Sequence, residues 1–83
     1  MTTIAISCPD DVLISLKENA SEFAADVRMA AAAKFYELGR LSSGRAAELA
    51  GLPRVVFLRR LSEFGVSVFD LDAQQIEEDL ANA

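Results

Sequence analysis

A chain of 83 residues is one small domain, because lone domains cluster at roughly 100 to 150 residues and smaller ones bury a smaller share of their surface. Its residues are 52% apolar and 25% charged, a globular composition that excludes wholesale disorder, and its longest apolar run, Met29 to Ala33, excludes a spanning helix of roughly 18 residues. The net charge of −5 conceals a division along the chain: residues 39–62 hold five arginines against Glu48 alone, and every ionisable group beyond them is acidic.

The N-terminus lacks the basic-then-apolar layout of a secretory signal, and a single cysteine forms no internal disulfide, so the profile is cytoplasmic, with no membrane partner expected. Without histidine there is no ordinary zinc set, catalytic dyad or imidazole switch. No metal, cofactor or small-molecule substrate is expected. Cys8 reads as a small buried hydrophobe, because no histidine exists to act as its base.

In chain order, the alternation in "TTIAISCP" places Ile4, Ile6 and Cys8 on one side and Thr3, Ala5 and Ser7 on the other, and Pro9 removes a ladder donor. This predicts a strand over residues 1–9. A strand cannot stand alone, so Ile4, Ile6 and Cys8 are candidate dimerisation residues, with the partner strand supplied by "VSVFD" (Val66–Asp70) or by a twofold mate. The outward Thr3, Ala5 and Ser7 are a weak set for reading a DNA groove. Asp10 and Asp11 open a short helix with Val12, Leu13 and Leu16 facing inward. After a break near Asn19, Ser21 is expected to cap a helix from Glu22 to Leu38, with Ala24, Val27, Ala31, Phe35 and Leu38 at helical spacing and Gly39 as the stop. Its alanine run, Ala30 to Ala33, lets another helix approach closely.

Ser42 caps a third helix through Ala50, Gly51 provides its exit, and Pro53 restarts the chain into a fourth helix ending at Gly65. Asp72 with Gln75 forms a capping box for a last helix in which Ile76 and Leu80 make a narrow apolar stripe. The expected fold is mainly α with one or two short β-strands: an N-terminal strand, a helical pair, a helix-turn-helix at 42–65 and a short acidic C-terminal helix within 71–83.

A helix-turn-helix needs a small residue where its helices cross, a glycine able to take positive φ in the turn, and apolar residues that lock the second helix. Ala47, Gly51, Leu52, Phe57 and Leu61 meet these needs. With them inside, Arg54, Val55, Arg59 and Arg60 are expected to point outward toward a DNA major groove, while Arg40, Ser42, Ser43 and Arg45 sit near phosphates at a helix N-terminus. These eight residues are the candidate DNA-binding set. Two departures from the usual pattern stand out: Arg60 occupies a position commonly apolar, so Leu61 must take over its packing, and Pro53 replaces a hydroxyl cap. An ordinary αα-hairpin with a solvated basic face satisfies the same spacing.

From Lys34 to Leu80 the sequence resembles a family of small prokaryotic proteins regarded as antitoxins paired with PIN-domain ribonuclease toxins. The residues that carry the resemblance are Tyr36, Gly39, Ser42, Ala46 to Gly51, Phe57, Leu58, Leu61 and Gly65, and the opening "IAISCPDDV" is similar to the family's start. The resemblance implies a homodimer that binds its operator DNA and masks a PIN-domain ribonuclease toxin with another segment.

The acidic tail suits the masking role. Glu77, Glu78 and Asp79 lie at the end of their helix where the macrodipole is already negative, so a basic partner would stabilise them while Ile76 and Leu80 enter a groove. These five are the candidate toxin-binding residues. An adaptor that uses the same basic face on an acidic protein is the alternative. An enzyme is the weakest reading, since Glu77 and Asp79 have no pocket and no glycine-rich phosphate loop appears.

Overall fold

A computed structural model describes residues 1–68, among which lie four α-helices and one 3-10 helix. These are α1 (Asp10–Leu16), α2 (Ala20–Glu37), α3 (Ser43–Ala50), α4 (Arg54–Arg60) and the 3-10 helix Leu61–Phe64. All the regular structure among the described residues is helical, and the expected strands are corrected: residues 1–9 and 66–68 carry no regular structure.

The reason is a missing neighbour among the described residues. A strand forms only where a second backbone meets its N–H and C=O groups. At Val66 that chance is lost to the helix end before it, where the Val66 N–H donates to Leu61 O at 3.1 Å beside the left-handed Gly65, φ 68°. Ile4 and Ile6 are left 79% and 67% exposed instead of packed in a sheet. Phe69 and Asp70 of the expected second strand, the Asp72–Gln75 capping box and the tail helix with Ile76, Glu77, Glu78, Asp79 and Leu80 lie outside the described residues.

The acidic pair Asp10 and Asp11 occupies the first turn of α1, and the helix closes on Lys17 in the left-handed region at φ 56°. No α1 residue is buried: Leu13 packs part-way, but Val12 and Leu16, both expected inside, stay exposed. Cys8, expected buried, is half-buried. The break before α2 falls where the sequence put it, but the cap is Asn19 and not Ser21. Asn19 Oδ1 accepts from the Glu22 N–H at 2.8 Å, and Glu22 Oε1 accepts from the Asn19 N–H at 3.0 Å, a reciprocal box that satisfies two otherwise unpaired donors.

The core is built by the second half of α2. Met29, Ala32, Ala33 and Tyr36 form a buried stripe at i, i+3, i+4 and i+7, joined by Ala46 and Ala47 of α3, Phe57 and Leu58 of α4, then Leu61 and Val66. The expected stripe of Ala24, Val27, Ala31, Phe35 and Leu38 is not the core: Ala24 and Leu38 are exposed and the other three only half-buried. From Phe23 to Tyr36 the helix is apolar on nearly every side, so periodicity alone fits more than one face. The surface that α3 and the 3-10 helix offer selects among them. Buried alanines on both α2 and α3 permit the close helix approach expected of the alanine run. The Tyr36 and Phe57 rings meet edge to face, with centroids 6.0 Å apart and planes at 90°, which fixes α4 against α2.

Candidate nucleic-acid interface

The helix-turn-helix forms where the sequence placed it. Ser42 caps α3 by accepting the Arg45 N–H at 3.2 Å, and α3 leaves through Gly51 at φ 73°, with the Leu52 N–H donating to Ala47 O at 3.0 Å. Pro53 precedes the first residue of α4, where a missing N–H costs nothing. Ala47, Phe57 and Leu61 are buried and Leu52 packs against them, so the inner side of the motif is as expected. Leu61 does take over the packing role that Arg60 vacates.

The outer side differs from the expectation. Arg54, expected to point outward, turns back on α3: its Nε donates to Ser43 Oγ at 2.8 Å in a part-buried contact, and Ser43 itself is 7% exposed. The two residues thus staple the start of α4 to the start of α3. Arg60 also turns away, lining a depression with Glu18 and Asp26 of the α1–α2 side, and its Nε lies 3.1 Å from Glu63 Oε2. Val55 is half-buried, while its neighbour Val56, which sequence reasoning passed over, is exposed.

Three cationic side chains remain on the solvent side of the motif. Arg59 on α4 is exposed and forms no hydrogen bond or ion pair among the described residues. Arg45 on α3 is exposed and held by Glu48, Nη1 to Oε2 at 3.0 Å, with side chains 72% and 69% exposed. An exposed pair of that kind is worth roughly 0.2–1 kcal/mol, so Glu48 ties Arg45 down only weakly. Arg40 lies 5.3 Å over the ring of Phe35, an arrangement that leaves its N–H edges in solvent. Beside them, Gly44 in the first turn of α3 has open space where a Cβ would stand, so its backbone is accessible to an anion at a helix N-terminus. Of the eight expected residues the structure therefore presents Arg40, Ser42, Arg45 and Arg59 outward, half-buries Val55, uses Ser43 and Arg54 internally and directs Arg60 elsewhere.

One residue that sequence reasoning missed governs the motif from outside. Arg28 of α2 donates from Nε to Leu49 O at 2.8 Å, capping the C-terminal end of α3 with a cation and resting on Gly51. The open carbonyls that precede Gly51 signal a need for such a donor, but no spacing identifies a residue 21 positions earlier. Among the described residues no three His, Cys, Asp or Glu side chains converge as a metal site, and no helix is long and apolar enough to cross a membrane.

The chain matches the Uncharacterised protein family (UPF0175) over residues 1–83 and belongs to it. No curated protein and no solved structure matches the chain.

Proposed function

We propose that this UPF0175 chain is the DNA-binding antitoxin of a type II toxin–antitoxin pair. In the cytoplasm it represses its own operon through α3 and α4 and neutralises a PIN-domain ribonuclease by protein contact. The observation that carries the DNA-binding half is the locked α3–Gly51–α4 unit, which leaves Arg59 exposed and without a partner among the described residues on the solvent side of its second helix. Arg59 reads a base edge or a phosphate, and Arg40, Ser42 and Arg45 hold the backbone. Arg54 acts by positioning α4 and not by touching DNA.

The toxin-binding half rests on the sequence resemblance and on the charge of the segment holding Ile76, Glu77, Glu78, Asp79 and Leu80. The test is a salt titration on DNA taken from upstream of the protein's own gene. Phosphate contacts by several cations make the logarithm of affinity fall steeply with the logarithm of salt, and Arg59→Ala weakens binding by about 1–3 kcal/mol. Absence of binding at low salt overturns the proposal. Truncation after Asp70 is expected to spare DNA binding and abolish toxin neutralisation; retained neutralisation moves that role to the helical body.

The adaptor reading draws support from a different observation: Glu48 and Glu63 already hold Arg45 and Arg60, which thins the field around the motif. An acidic, partly apolar protein surface would find Arg59 beside Val55 and Val56. The same titration separates the two, since an adaptor binds no operator.

A further inference from the structure

Of the seven residues of α4, two are exposed: Val56 and Arg59. Phe57 and Leu58 are buried, Val55 is half-buried, Arg54 is bonded to Ser43, and Arg60 is held by Glu63 on the α1–α2 side. Val56 and Arg59 stand three positions apart, so they share one face of the helix. Among the described residues, the outward chemistry of α4 is thus one guanidinium beside one branched apolar side chain.

Folding does not account for that valine. It is 36% exposed, so it gains only part of what burial offers, and a β-branched side chain is a poorer helix former than alanine or a straight-chain residue.

We propose that Val56 is a specificity-determining residue that selects a thymine by its C5-methyl group in the DNA major groove, beside the base or phosphate held by Arg59. The inference rests on the DNA-binding reading of α3 and α4 and names what that surface distinguishes. A valine side chain has no hydrogen-bond donor or acceptor, and thymine carries the only methyl group that the four base pairs present in the major groove. A cytosine in its place would set its amino donor against the valine methyls without an acceptor, which costs affinity on top of the lost apolar contact. Spacing agrees. Three residues of helix advance about 4.5 Å and one base step about 3.4 Å, so Val56 and Arg59 reach neighbouring steps of one site.

The test measures binding of the full chain, residues 1–83, to DNA from upstream of its own gene, with each thymine replaced in turn by deoxyuridine. That replacement removes the methyl group and nothing else. At least one thymine is expected whose replacement weakens wild-type binding about fourfold, the value of burying one methyl-sized group, and whose exchange for cytosine weakens it further. Val56→Ala should weaken binding to the unmodified DNA to a similar degree, become indifferent to uridine at that position, and keep the wild-type salt dependence, because no charge is lost. The uridine series needs no protein variant, so it reads the contact even where Val56→Ala folds poorly. A wild-type chain that binds equally well whichever thymine is replaced overturns the inference and leaves the DNA-binding reading standing. A methyl dependence that persists undiminished in Val56→Ala also overturns it. A chain that binds none of these DNAs at low salt overturns both.

Discussion

Gly51 lies beneath the guanidinium group of Arg28: a Cβ built on it would stand 3.2 Å from Nη2 and 3.4 Å from Cζ. The turn of the helix-turn-helix is therefore constrained twice, by its left-handed φ of 73° and by a side chain from α2. Gly51→Ala is expected to cost about 1–3 kcal/mol in urea unfolding, from the backbone penalty and the displaced cap together. Because Arg28→Ala removes the crowding as well as the bond to Leu49 O, the double variant should lose less than the two singles combined, with a coupling of about 0.5–1 kcal/mol. Strict additivity would separate the two constraints.

Arg54 and Arg59 sit on the same short helix and should behave in opposite ways. Arg54→Ala breaks the part-buried bond to Ser43 Oγ and is expected to destabilise the fold by about 1–2 kcal/mol. Arg59→Ala removes an exposed side chain and should leave stability within about 0.5 kcal/mol of wild type while weakening DNA binding. Thermal melts of both variants beside their DNA affinities check this. A destabilised Arg59→Ala, or an Arg54→Ala that melts like wild type, would reverse the two roles.

The capping box at the start of α2 yields a contrast between two neighbouring polar residues. Asn19→Ala deletes the acceptor for the Glu22 N–H and is expected to cost about 1 kcal/mol locally, so amide exchange in the first turn of α2 accelerates by about fivefold. Ser21→Ala should leave that exchange unchanged, because Ser21 already lies inside the helix.

Glu18 supplies a pH dependence. A hydrogen bond with Asp26 raises its carboxyl above the ordinary value of 4.5, with desolvation and the charges of Asp26 and Glu22 adding in the same direction. Arg60 and Glu63 face the same depression, and they pair with each other. A raised carboxyl favours the protonated form in the fold, so its ionisation opposes folding. The penalty is absent below the ordinary carboxyl range and complete once pH has risen past the raised value. Glu18→Gln is therefore expected to raise the melting temperature at neutral pH and to lose that advantage near pH 3. An equal effect at both ends would remove Glu18 as the cause.

Local features of this protein were fixed by its sequence. The Ser42 cap, the left-handed exits at Gly39, Gly51 and Gly65, and the α1 start at Asp10 and Asp11 all involve partners within a turn or two along the chain. Their energetics are decided by neighbours the sequence itself specifies. Asn19 shows the limit even there, since Asn19 and Ser21 both stand near the break and only the reach to the Glu22 N–H distinguishes them.

Tertiary structure decided what depended on surfaces brought from afar. α2 is apolar nearly all round, so the core stripe through Met29 and Tyr36 was chosen by α3 and the 3-10 helix against it. Arg54 was drawn inward because Ser43 stands within 2.8 Å across the turn, and Arg28 found Leu49 O from another helix altogether. The alternation of Ile4, Ile6 and Cys8 is real in the sequence, yet alternation states only which side chains share a face. Backbone pairing requires a second extended segment, and none stands beside them among the described residues.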